Sequence, residues 1–133
     1  MRKRKTFQEL TIKDNFMFCA VMMNPENCRK FLEVVLHMHI EHVDVDQEHS
    51  LQFHPDYHGV RLDIYAEDEN HTHYNVEMQV LETQVCKRAR YYHSQMDMEV
   101  LLPGMDYDRL TDSYVIFVCD FDPLGCGRYV YTV

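Results

Sequence analysis

Two acids and an amide are spaced so that they could share one face of a β-hairpin. In Val60-Arg61-Leu62-Asp63-Ile64-Tyr65-Ala66 the pattern alternates, with Leu62, Ile64 and Ala66 on one face and Arg61, Asp63 and Tyr65 on the other. Tyr74-Asn75-Val76-Glu77-Met78-Gln79-Val80 alternates again and sets Asn75, Glu77 and Gln79 apart from Val76, Met78 and Val80. The polar stretch Glu67–Thr72 reads as the hairpin loop. If that loop centres on Asn70, Asp63 lies across from Glu77, with Cβ atoms about 4.5–5.5 Å apart. Gln79, two residues on, projects from the same face as Glu77. Carboxylates at that separation can grip one hard cation. Water and a substrate phosphate then complete the octahedral oxygen shell that Mg²⁺ prefers. A metal so held polarises a phosphate and acidifies a bound water, which is the chemistry of phosphodiester cleavage. The alternation alone fits an ordinary solvent-facing hairpin just as well, and a one-residue slip would send Asp63 to the other face.

The elements around this hairpin follow from the same patterning. Residues 7–23 read as a helix or helix pair, broken at Asn24-Pro25. Asn24 is placed to cap a second helix, with Pro25 at its first position and Phe31, Leu32, Val34, Val35 and Met38 at helical spacing to about Ile40. The His-, Asp- and Gln-rich residues 43–58 leave room for a short strand such as Ser50–Phe53. After the hairpin, Glu82 to Leu101 carries the apolar stripe Val85, Ala89, Tyr92, Met96 and Val100, and Pro103-Gly104 ends it. Tyr114–Cys119 is a continuous apolar run, the mark of a strand buried on both faces. Asp122-Pro123-Leu124-Gly125 reads as a turn and Arg128–Val133 as the opening of another strand.

Composition bounds the function classes. The 133 residues fit one small α/β domain, and 46% apolar content builds a core without any span long enough to cross a membrane. The basic start, Met1–Lys5, has no apolar segment behind it, so a cytoplasmic protein is expected. Cys19, Cys28, Cys86, Cys119 and Cys126 are scattered and odd in number, which argues for reduced thiols rather than a disulfide framework or a zinc knuckle. His37, His39 and His42, like His71 and His73, lack any metal-naming spacing. A net charge of −9 counts against a surface that binds nucleic acid all over. Two local basic strips are compatible with it: residues 2–5, and Lys87-Arg88-Ala89-Arg90 inside the long helical pattern.

Several segments resemble one family in order and spacing. Gly59-Val60-Arg61-Leu62-Asp63-Ile64-Tyr65-Ala66 is similar to the G-x-R-x-D-V-x-A signature of PD-(D/E)XK nuclease family transposases, also called recombination-promoting nucleases. Tyr74–Gln79 resembles that family's Y-N-I-E-M-Q strand, and Lys87–Tyr92 its K-R-A-R-Y-Y helix. Gly104–Tyr107, Tyr114–Phe117 and Phe121-Asp122 follow in order and at approximately matching spacing, and the similarity runs from about Leu10 to the last residue. The resemblance implies an α/β fold with a restriction-endonuclease-like mixed central sheet flanked by helices. It implies one nuclease-like domain over residues 1–133, expected to be cut short at its C-terminus. The implied activity is DNA endonuclease action in recombination or transposition, with Mg²⁺ as cofactor and Mn²⁺ as a substitute. Asp63 and Glu77 would be metal-binding acids, and Gln79 would stand where a water-orienting lysine is more usual. Asp14 is the candidate for a further metal-binding acid from the first helix. Lys87, Arg88 and Arg90 would hold backbone phosphates. DNA is the implied partner, with room for a homodimer and no call on a membrane. The missing lysine and the acidic net charge keep a second reading open: a weakly active or inactive truncated relative that serves as a DNA- or protein-binding module.

Overall fold

The computed structural model describes residues 4–53, 55–56 and 58–133; of the basic N-terminal strip, Arg2 and Lys3 lie outside them. Helices α1 (Asn15–Met22), α2 (Pro25–Leu36) and α3 (Val85–Val100) flank a sheet of β1 (Val43–Leu51), β2 (Val60–Asp68), β3 (His73–Gln79) and β4 (Ser113–Cys119). The strands lie in the order β1-β2-β3-β4. The first three form an antiparallel meander, and β4 returns parallel to β3 after the chain crosses over through α3. This is the mixed α/β arrangement expected from the sequence.

Local chemistry sets most boundaries. The Asn24 side chain accepts hydrogen bonds from the N–H groups of Glu26 (3.0 Å) and Asn27 (3.2 Å), and Pro25 opens α2. That helix stops at Leu36 instead of running to Ile40, because His37 turns into the left-handed region at φ 53°. The expected short strand Ser50–Phe53 is instead the nine-residue β1, which begins at Val43. It borders the sheet and turns much of its surface to solvent, so its sequence is as polar as a loop's. The apolar run of β4 also lies at an edge, half-buried throughout rather than buried on both faces. Residues Arg128–Val133 form no strand. That segment loops back to Asp122, whose carboxylate accepts from the N–H groups of Leu124, Gly125 and Gly127 and from the Tyr131 hydroxyl.

The sheet carries two cores, and β1 and β2 pass from one to the other. Val43, Ile64, Ala66, Tyr74 and Val76 pack against Phe18, Cys19, Met22, Cys28 and Leu32 of α1 and α2. Leu51, Val60, Leu62 and Tyr65 pack instead with Tyr92 and Met96 of α3. Leu62 and Ile64 were expected on one face, since alternation puts residues two apart together. They lie in different cores, so the alternation breaks between them, at Asp63. The cross-strand partner of Asp63 is Glu48: Gln47 pairs with Ile64 and His49 with Leu62, but the pair between them is not hydrogen-bonded as a ladder rung. Glu48 has φ 55°, a left-handed conformation that reverses the pleat of β1 at the same level.

The β2–β3 register is held from its closed end. Asp68, expected in the loop, ends β2 and is buried. Its Oδ1 accepts from the N–H groups of Asn70 and Thr72 (both 2.9 Å), and its Oδ2 accepts from the Tyr74 hydroxyl at 2.7 Å. Ile64 then pairs with Val76, Tyr65 with Asn75 and Ala66 with Tyr74, which is the register inferred from a loop centred on Asn70. Replacing Asp68 by Ala would strand two loop N–H groups and a buried phenol. Urea unfolding of Asp68→Ala is expected to show a loss of about 3 kcal/mol relative to wild type.

Candidate functional site

The register brings Asp63 and Glu77 together one step beyond the last ladder pair. The Asp63 backbone N–H donates to Glu77 Oε1 at 3.2 Å, so a side chain stands where the ladder would offer a carbonyl. Glu77 is buried, with its side chain 5% exposed. Burial, and then the negative charge of Asp63, push its carboxyl up to about 7; the Asp63 N–H opposes this in part. Asn75, two residues earlier on the same face, is fully buried, and its amide makes no well-formed hydrogen bond.

Arg88 of α3 closes the site on the side of the second core. Its Nη1 donates to Gln79 Oε1 at 2.5 Å and its Nη2 to the Tyr92 hydroxyl at 2.9 Å. The same guanidinium lies 4.0 Å from Glu77 Oε2 and above the rings of Phe117 (5.1 Å) and Tyr92 (5.5 Å). Gln79 is fixed from both ends, because its Nε2 also donates to the Leu81 carbonyl. Arg88 is therefore committed to the site's interior. Lys87 and Arg90 are exposed on α3 without an ion-pair partner among the described residues.

The first helix contributes differently from expectation. Asp14 stands at the N-cap position of α1 but makes no capping bond; its carboxylate is taken up by Lys5 (2.8 Å) and by the Thr11 N–H (2.9 Å), and the Lys5 contact leads in holding it down. Among the described residues it shares no hydrogen bond or ion pair with Asp63, Glu77 or Gln79. The α1 residue that senses the acids is Cys19, buried in the first core. Burial, then the charges of Asp63, Glu48 and Glu77, push its thiol up to about 11. Glu48 is exposed and lies across from Asp63 in the β1–β2 register, a neighbour that sequence reasoning did not find. It sits in a strand that the polar pattern hid, and only the β1–β2 register places it opposite Asp63.

A family profile described as PD-(D/E)XK nuclease family transposase matches residues 15–129. The chain belongs to that family. Searches of curated proteins and of solved structures found no match. The mixed sheet with its helices is consistent with the restriction-endonuclease-like fold of PD-(D/E)XK proteins, and membership points to a nuclease-type function. No helix among the described residues is long and apolar enough to cross a membrane.

The residues present can be tested against the metal that such a nuclease would use. Among the described residues no group of three or more His, Cys, Asp or Glu gathers as a ready-made cage. Asp63 and Glu77 supply a pair. Mg²⁺ is commonly held by one or two carboxylates, with water and substrate phosphate filling the remaining positions, so the donor set fits.

The position of Glu77 has a measurable consequence in the metal-free protein. Between the usual glutamate range and about pH 7 the folded state keeps a proton that the unfolded chain has released. Stability contributed by neutral Glu77 is therefore present at low pH and is lost as pH rises through that window. Glu77→Gln, neutral at every pH, is expected to melt near wild type at pH 5 and roughly 5 °C or more above it at pH 8, by thermal denaturation in EDTA.

Proposed function

We propose that the protein is a Mg²⁺-dependent DNA endonuclease that hydrolyses phosphodiester bonds in recombination or transposition. What supports this reading is the Asp63–Glu77 pair: the Asp63 N–H donates to Glu77, and burial, then the Asp63 charge, push the Glu77 carboxyl up to about 7. A divalent cation between them relieves both the burial of charge and the repulsion. When bound, it would supply Lewis-acid polarisation of a phosphate and an acidified water. Asp63 and Glu77 would hold it, with Mn²⁺ a chemically reasonable substitute.

Gln79 and Arg88 together take the place of the lysine that the superfamily pattern would put at position 79. A glutamine cannot supply charge, but its amide keeps one N–H and one lone pair free after its bonds to Leu81 and Arg88, and these can orient a water. The positive charge comes from the helix instead. A lysine at position 79 would stand against the Arg88 guanidinium, whereas the glutamine carbonyl accepts from it. The substitution is thus compatible with turnover.

Calorimetry with Mn²⁺ or Mg²⁺, in the presence of a short duplex, tests the centre: binding is expected for wild type and lost in both Asp63→Ala and Glu77→Ala. Metal-dependent nicking of plasmid that survives Asp63→Ala would overturn the assignment. For Arg88→Met, metal binding should persist while cleavage slows about 100-fold, as for loss of one charge-stabilising donor.

A further inference from the structure

An open cleft of about 510 Å³ lies between the start of β2 and the first turns of α3. Gln84, Lys87, Arg88 and Tyr91, one face of the helix at i, i+3, i+4 and i+7, form one wall. The other is the segment from His58 to Arg61, and the Tyr91 hydroxyl donates to the His58 carbonyl to tie the walls together. The described lining holds three permanent cations and no carboxylate, on a chain of net charge −9. Lys5, Lys13, Arg29 and Lys30 each pair with an acid. Arg61 and Lys87, like Arg4, Arg90, Arg109 and Arg128 elsewhere among the described residues, have neither a salt bridge nor a side-chain hydrogen bond. The helix adds to this field. Its N-cap, Gln84, makes no side-chain capping bond, so the positive end of a sixteen-residue helix opens on the cleft.

Arg88 is the wall shared with the acid pair, 4.0 Å from Glu77 Oε2. An anion in the cleft is thus one side chain away from the carboxylates. We infer that this cleft seats a backbone phosphate of the nucleic-acid strand, held by Arg61 and Lys87 beside the phosphodiester that is cut. The inference deepens the nuclease reading and rests on it for the identity of the anion. It also divides the basic strip of α3. Lys87 faces the phosphate, Arg88 is the partition, and Arg90 lies off the lining face and is replaced there by Arg61 from β2.

The test separates holding the strand from cutting it. Binding of a short fluorescein-labelled duplex is measured by anisotropy in EDTA, where no metal-dependent cleavage can occur. The proteins compared are wild type, Arg61→Ala, Lys87→Ala, Arg61→Lys, Arg90→Ala and Asp63→Ala. Arg61 and Lys87 are exposed, so their replacement is expected to leave the fold intact, which thermal melts verify. The expected result is binding weakened about threefold to tenfold in Arg61→Ala and Lys87→Ala. The slope of log affinity against log salt should be shallower by about 1. Arg61→Lys should restore most of the binding, while Arg90→Ala and Asp63→Ala should bind like wild type or better. Duplex binding that is absent in wild type, or is weakened no more by Arg61→Ala and Lys87→Ala than by Arg90→Ala, overturns the inference. If instead the cleft variants behave as expected but wild type with Mg²⁺ never nicks DNA, the cleavage reading fails while the phosphate seat stands.

Discussion

The register of the β2–β3 hairpin is the constraint on which the rest depends. Side chains in a strand alternate with period two, so a slip of one residue would carry Asp63 away from Glu77 and leave no site. Apolar packing cannot by itself guard against this, because the pattern around Asp63 changes core. The guard is polar: Asp68 gathers the loop N–H groups and the Tyr74 hydroxyl at the closed end. Registry then propagates along the ladder to the open end, where Glu77 reaches across to the Asp63 N–H.

At that open end, electrostatics rather than packing shapes the site. Glu77 is buried beside another acid, an arrangement that costs stability without a counter-charge. The protein supplies only a distant one, since Arg88 stays at 4.0 Å and gives its short hydrogen bonds to Gln79 and Tyr92. The pair is thus left partly unsatisfied and suited to a small hard cation. The guanidinium lies against the stacked Tyr92 and Phe117 rings and is engaged there by its bonds to Gln79 and Tyr92 rather than by the acids.

Much of this was legible in the chain. Asn24-Pro25, the alternating strands around Asn70 and the α3 stripe each reflect one local rule, and local rules survive folding. Asp63, Glu77 and Gln79 could be placed together at the open end of the hairpin because it joins them within a short stretch of sequence. What was hidden depends on partners far away. β1 was read as no more than a short strand, Ser50–Phe53, because an edge strand that faces water carries little apolar signal. β4 looked doubly buried because its residues are apolar, although it borders the sheet. Leu62 and Ile64 were put on one face because strict alternation cannot register a pleat reversal at Glu48 and Asp63. Asp14 looked available because its helix precedes the site, yet Lys5 and Thr11 engage it first.

The thiol of Cys19 carries a chemical consequence of this geometry. Sulfur reacts with oxidants and electrophiles chiefly as the thiolate, and burial beside three carboxylates suppresses that form where Cys19 meets the site. Cys86 and Cys126 are open to solvent. Oxidation is expected first on these outer sulfurs; Cys86 lies on the side of α3 turned away from the Gln84, Lys87, Arg88 and Tyr91 face, so a sulfinic acid there would place its negative charge outside the cationic cleft. Redox damage to this protein would thus mark its outer surface before it reached the thiol beside the carboxylates.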